Sequence, residues 1–253
     1  MHPRPSGIVT LLTDYGTSDP YVGILKGAVL LKAPKLTLVD LGHELPAQDV
    51  EAGGFFVRAA LGRFPAGTVH VVVVDPGVGT DRALLAVAND DGYWLGPDNG
   101  LLSPLWTDGR VADVRRLDCE HLGLVAASRT FHGRDLLAPA AAWLASGRYG
   151  FSALGPRHDA PVTLPREVGA RVLHVDRYGN LVTSLPGTAL AGARGVQVGG
   201  RAVGKHSTYA EVAPGALLAY VGSFGLVEIA CNRGSAARSL DLGRGAPVEL
   251  LPA

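Results

Sequence analysis

The chain has 253 residues, 47% of them hydrophobic, and carries 23 acidic and 23 basic side chains, a size suited to one large or two ordinary globular domains. Its formal net charge of zero leaves no electrostatic footprint for nucleic acid or an anionic membrane surface. No run approaches the roughly 18 uninterrupted apolar residues of a membrane span, and MHPRPSG leads straight into a strand-like segment without a signal peptide's charge and apolar pattern.

Gly7–Thr13 reads as a first buried strand that ends on Asp14-Tyr15-Gly16. Thr17, Ser18 and Asp19 offer N-cap oxygens to a helix over Tyr21–Ala33, which is apolar nearly all round and is expected to be a buried crossover. Leu36–Leu41 is a second strand, with Asp40 near its end and His43 after it. Asp49–Phe64 places Val50, Phe55, Phe56, Ala59 and Ala60 on one helical face, and Pro65-Ala66-Gly67 breaks it. The next strand, Val71–Val74, is too apolar to be half-exposed, so it belongs at the centre of a parallel sheet. Three such β-α units predict a doubly wound α/β domain.

Leu84–Ala88 and Tyr93–Leu95 form a predicted hairpin, followed by the tight loop Gly96-Pro97-Asp98-Asn99-Gly100. Phe131-His132-Gly133-Arg134-Asp135 precedes an alanine-rich, amphipathic helix over Leu136–Ser146. Between Phe151 and Val168 the pattern dissolves into Pro, Gly and charge, which puts a domain boundary near residue 160. Beyond it come short alternating runs at Arg171–Val175, Leu181–Leu185, Val196–Val198, Leu217–Val221 and Leu226–Cys231, with glycine turns and no convincing helix. Residues 161–253 therefore read as a small β-barrel or sandwich after an α/β domain of residues 1–160.

The stretch VVVVDPGVGTDR, from Val71 to Arg82, concentrates the chemistry. In open α/β sheets ligands bind outside the carboxyl ends of the strands, which is where Asp75 stands. Gly77 and Gly79 let the backbone approach a ligand, and Arg82 brings a fixed cation seven residues after the acid. Asp14, Asp98, Asn99 and the Asp176…Asn180 pair also sit at strand ends or in glycine turns, where each could equally satisfy its own backbone. Asp14 and Asp75 on adjacent parallel strands would open into one crevice, and like charges there need a ligand or cation to compensate them. His132, at a helix N-terminus, could join Arg82 and Asp75 to orient or deprotonate a water. A hydrolytic metal on Asp14, His43, Asp75 and His132 is an alternative, although no HxH, HxxxH or DxH spacing supports it. Neither GxGxxG nor a P-loop occurs. Cys119 and Cys231 lie outside any CxxC spacing, so no zinc site or disulfide framework is indicated and a reducing cytoplasm is expected.

TDYGTSDPYVGILKG, the segment Asp40–His43, VVDPGVGT with Arg82, GPDNGLL, FHGRD, VDRYGNLVT, TYAEVAPG and GSFGLVEIACNRGSAA occur in this order. Over nearly the whole chain this resembles the SAM hydroxide adenosyltransferase family, S-adenosyl-L-methionine (SAM) hydrolases related to SAM-dependent fluorinase and chlorinase. The resemblance implies a Rossmann-like domain followed by a β-barrel, homotrimers with ligand at subunit interfaces, and hydrolysis of SAM to adenosine and methionine without metal or organic cofactor. It places the catalytic set on Asp75, Arg82 and His132, and the ribose-binding acid on Asp14. Methionine-side contacts fall on Asp19 and Tyr21, with Asp176 at the amino-acid head group. Adenine contacts fall on Asn180, Ser223, Phe224 and the segment Cys231–Arg233, and Glu228 lies in the same motif. Halogenating relatives carry Tyr at the position of Asp75 and Ser at that of Gly133, so the chain sides with the water-using branch. Tyr15 and Tyr178 stand where Phe is usual, and Phe224 stands where relatives often differ. The rival functions are a halide-dependent 5′-haloadenosine synthase and a non-catalytic SAM or adenosine sensor.

Overall fold

The computed structural model of the protein describes residues 2–107, 111–165 and 168–253. The chain forms two compact units, residues 1–165 and 166–253. Residues 166 and 167, within the stretch where the boundary is expected, lie outside the described residues.

The first unit runs β1 (Ile8–Thr13), α1 (Tyr21–Lys32), β2 (Thr37–Gly42), α2 (Val50–Ala60), β3 (Thr68–Val73), β4 (Leu84–Asn89), β5 (Gly92–Pro97), α3 (Ser103–Thr107), β6 (Val111–Arg116) and α4 (Ala138–Ala145). Its six strands form one sheet in the order β2-β1-β3-β5-β4-β6, in which only β4 runs against the rest. β3 is interior and buried at every position, as its unbroken apolar run requires. Its side chains alternate between two cores. Val71 and Val73 pack with Leu11, Leu25, Val29 and the α4 alanines. Val72 and Val74 pack on the opposite face with Leu45, Val57, Trp94 and Leu105. Helices thus cover both faces, α1 and α4 on one and α2 and α3 on the other, and the strand ends are left to build a site.

Three local expectations are corrected. α1 is not buried all round: Val22, Leu25 and Val29 face the core, while Tyr21, Ile24, Leu30 and Leu31 are exposed. Its N-cap is Pro20, with no side-chain cap from Thr17, Ser18 or Asp19. α4 is not amphipathic, since all eight of its residues are buried; alanine lets it sink against the sheet and α1 without a polar face.

The second unit comprises β7 (Ala170–Val175), β8 (Leu181–Pro186), β9 (Ala193–Val198), β10 (Arg201–Gly204), β11 (Leu217–Val221), β12 (Leu226–Cys231), the one-turn helix α5 (Ala236–Leu240) and β13 (Pro247–Pro252). Seven strands make an antiparallel sheet ordered β10-β9-β13-β7-β8-β12-β11. A bridge between Lys205 and Ala219 brings its two edges together, so the sheet is a nearly closed barrel around Val172, Val196, Val227, Ile229 and Val248. The sequence reading missed β10 and β13, one only four residues long and the other flanked by prolines, and also α5. α5 depends on the Ser235 hydroxyl accepting from Arg238 N, because one turn is too short to show a period.

Leu11, fully buried in mid-sheet, should lower the free energy of unfolding by about 2–5 kcal/mol when replaced by Ala, read by urea denaturation. His70 stacks on Trp94 at 3.9 Å and pairs with the Thr10 hydroxyl at 2.7 Å, and burial pushes its imidazole from 6.5 down to about 3. The unfolded chain therefore takes up this proton first: the contribution is intact above pH 6.5 and is lost as the pH falls toward 3. NMR titration should find the His70 ring still neutral at about pH 5, and a ring titrating at its ordinary value would contradict this.

Candidate active site

β3 delivers Asp75 to the end of the sheet, and the chain reverses at once. Asn99 clamps this end, its amide donating to the Val74 carbonyl at 2.9 Å while its oxygen accepts from Leu101 N at 3.1 Å. In the turn, Val78 N donates to the Asp75 carbonyl, and Thr80 donates to the Gly77 carbonyl through both its N–H and its hydroxyl. Gly79 has φ +85°, and a Cβ there would lie 2.9 Å from the Arg129 carbonyl, so only glycine fits without strain. This reversal turns Arg82 back onto Asp75. Arg82 Nε donates to Asp75 Oδ1 at 2.7 Å and Oδ2 at 2.9 Å, and Nη2 also donates to Oδ2. Both side chains are at least nine-tenths covered, so the pair is worth keeping together: removing either partner strands a buried charge.

His132 arrives from fifty residues further on and completes the group, with Arg82 Nη2 3.2 Å from its Nδ1. It caps a single π-helical turn, Gly133–Leu137, that runs into α4; such turns re-aim side chains at functional sites. Asp135 steadies the segment by accepting from Ser128 N at 2.8 Å and from Arg134 Nε at 2.6 Å, and the Arg134 guanidinium lies 4.7 Å from the Phe131 ring centre. Burial, reinforced by the Arg82 charge and opposed by Asp75 and Asp135, holds the His132 imidazole below its ordinary value. Since a guanidinium only donates, Nδ1 of His132 is the acceptor and the proton of the neutral ring sits on Nε2. His132 is thereby a donor toward whatever faces Nε2. Among the described residues Arg82 Nη1 makes no hydrogen bond, so it is a second available donor. Arg82 and His132 both line a cavity of about 440 Å³, together with Thr80, Arg116, Cys119 and Leu136.

Asp14 stands at the end of β1, the strand hydrogen-bonded to β3, and accepts from Gln48 N at 2.7 Å. Asp14 and Asp75 thus follow adjacent parallel strands, and both carboxylates, after burial, push the Tyr15 phenol well up. Asp19 and Tyr21 are exposed where α1 begins, and among the described residues Asp19 makes no hydrogen bond or ion pair. Neither Asp14, Asp19 nor Tyr21 lines the 440 Å³ cavity. Asp98, also a sequence candidate, is occupied with structure, bonding His158 Nε2 at 3.0 Å and Val162 N at 2.8 Å. His43 pairs with the Thr13 hydroxyl at 2.8 Å. Among the described residues no three His, Cys, Asp or Glu side chains gather as a metal-ligand group, so the four-ligand alternative has no site.

In the second unit Asp176 organises the β7–β8 turn, its Oδ1 accepting from Tyr178 N and Asn180 N and its Oδ2 from Asn180 Nδ2 at 2.9 Å. Asn180, Cys231 and Arg233 line a cavity of about 470 Å³ with Tyr178, Tyr209 and Gly234. Ser223 and Phe224, in the β11–β12 turn, do not line it. Glu228 is buried, accepts from the Tyr220 hydroxyl at 2.6 Å, and through it connects to the Tyr209 hydroxyl at 3.1 Å. Burial and the Asp176 charge, opposed by the Tyr220 hydrogen bond, raise its carboxyl pKa. Tyr209 is one of the lining residues that sequence reasoning missed; its segment, TYAEVAPG, was a motif without an assigned contact.

The SAM hydroxide adenosyltransferase N-terminal domain matches residues 9–155, and the corresponding C-terminal domain matches residues 170–249. The chain belongs to the SAM hydroxide adenosyltransferase family. It is 40% identical to an (R)-S-adenosyl-L-methionine hydrolase of Thermus thermophilus, over 96% of this chain and 99% of that protein. A crystal structure of an uncharacterised conserved protein from Thermotoga maritima superposes with a TM-score of 0.90 at 31% identity, covering 96% of this chain and 99% of that one. Fluorinases are more distant, that of Nocardia brasiliensis being 24% identical over 96% of each chain.

Arg82→Lys keeps the charge but loses the fork that spans Asp75 and His132, and turnover should fall at least about tenfold in steady-state assays despite an intact fold. Activity near the parent's would show that charge alone suffices.

Proposed function

We propose that the protein hydrolyses S-adenosyl-L-methionine to adenosine and L-methionine by in-line attack of water on ribose C5′. One observation carries this reading: in a member of a SAM-hydrolysing family, Asp75 fixes Arg82 by a two-pronged ion pair, and Arg82 fixes the tautomer of His132. The sulfonium makes methionine a neutral leaving group, so departure requires neither acid nor metal. The new bond joins the water oxygen to C5′, the C5′–S electrons leave on sulfur, and the water's proton is released to solvent. Arg82 and the Nε2–H of His132 hold the incoming oxygen, and Asp75 holds Arg82. Bringing electron-rich oxygen to a sulfonium disperses charge in the transition state, which a shielded site favours over bulk water. Orientation is the protein's main contribution and can account for about 7–11 kcal/mol in favourable cases.

In this reading Asp14 holds the ribose hydroxyls, Asp19 and Tyr21 the methionine side, and Asp176 the amino-acid head group. Asn180, Ser223, Phe224, Glu228, Cys231 and Arg233 surround adenine. The working form is a homotrimer with ligand at subunit interfaces, which the exposed Tyr21, Ile24, Leu30 and Leu31 of α1 support as a surface to be covered. A cytoplasmic setting accords with Cys119 and Cys231, both free thiols.

Turnover in ¹⁸O-water should put the label in the 5′-hydroxyl of adenosine, and His132→Ala should lower its yield at least about tenfold. Unlabelled adenosine, a halonucleoside formed on adding chloride or fluoride, or tight SAM binding without turnover would each overturn the reading. Leu31→Glu should shift the sedimentation coefficient from trimer to monomer; an unchanged oligomer would remove α1 from the interface.

A further inference from the structure

Arg82 and His132 offer an incoming water only donors, whereas a water carries two hydrogens that need acceptors. Tyr15 is placed to supply one. Its ring is wedged edge-on against Phe131, at 5.7 Å and 82°, and against Tyr21, at 6.2 Å and 64°. Its hydroxyl is thereby directed at Gly133, next to His132. A Cβ placed on Gly133 would lie 2.6 Å from that hydroxyl, so the missing side chain of Gly133 is the room the phenol oxygen occupies. Among the described residues the hydroxyl of the half-buried Tyr15 makes no hydrogen bond, so it is open to a water or ligand. Burial and the neighbouring carboxylates of Asp14 and Asp75 disfavour the phenolate, so the group stays a neutral hydroxyl with lone pairs to offer.

We infer that Tyr15 is a positioning residue for the nucleophile, its hydroxyl accepting a hydrogen of the water that Arg82 and His132 hold, in space left open by Gly133. This rests on the hydrolase reading and adds to it a specific acceptor. The hydroxyl, rather than the ring, is the functional part.

The test compares the parent protein, Tyr15→Phe, Gly133→Ser and the double variant by SAM turnover, SAM binding and thermal melting. Tyr15→Phe keeps the aromatic contacts, so its melting temperature should be unchanged and its KM for SAM should stay within about twofold while kcat falls at least about tenfold. Gly133→Ser alone should also lose kcat, because its Cβ collides with the phenol oxygen. In the double variant the serine hydroxyl enters the vacated space, and kcat should recover about threefold or more over Tyr15→Phe. A Tyr15→Phe enzyme with kcat within about twofold of the parent, or with its whole defect in KM, would overturn the inference and leave the hydrolase reading standing. A parent protein that makes no adenosine from SAM would overturn both.

Discussion

The ion pair between Asp75 and Arg82 is the constraint on which the site depends. Two charges so well covered cannot be separated without stranding one in a low-dielectric surround, so each holds the other in a single geometry. The strand that places Asp75 is equally constrained, with Val71 to Val74 locked alternately into the cores on the sheet's two faces. Rigidity therefore passes from the hydrophobic layers through β3 to the carboxylate, then to the guanidinium, and finally to the imidazole. A buried pair of this kind is weak evidence for stability and is better understood as an investment in position.

That chain of contacts also sets the chemistry of His132. In the proposed reaction, with Nδ1 occupied by an arginine N–H and the imidazole pKa held low, His132 serves as an orienting donor and not as the base that pulls a proton from water. The reaction tolerates this because the electrophile is already activated. A sulfonium needs no protonation to leave, and an oxygen held in line needs little further assistance. Acceptors for the water's hydrogens then become the missing component, which gives the hydroxyl of Tyr15 its significance.

Much of the scaffold was legible in the residues. The run Val71–Val74 marked the central strand because no half-exposed strand can carry four such side chains, and Asp75-Pro76-Gly77 marked its end. The apolar face over Asp49–Phe64 marked α2, which begins where expected, the Asp49 carboxylate accepting from Ala52 N, but ends earlier, at Ala60. Harder to read was anything decided by distant packing. α1 looked apolar on all sides, yet Tyr21, Ile24, Leu30 and Leu31 face outward, since composition does not say which face a sheet will cover. Asp98 resembled a ligand residue until His158, sixty positions away, came to meet it. The Arg82–His132 contact spans fifty residues and has no spacing signature; only the ordered motifs pointed to it. Likewise the meaning of Gly133 depended on the hydroxyl of Tyr15, and no local rule links the two.

The central claim is that Arg82 and His132 aim an oxygen at C5′, and a crystal structure of the complex with adenosine and methionine tests it most directly. The 5′-oxygen of adenosine is the former nucleophile, so it should lie within about 3.2 Å of an Arg82 guanidinium nitrogen or of His132 Nε2. A bound adenosine whose 5′-oxygen sits beyond about 5 Å from both, with the Asp75–Arg82 pair intact, would contradict the account.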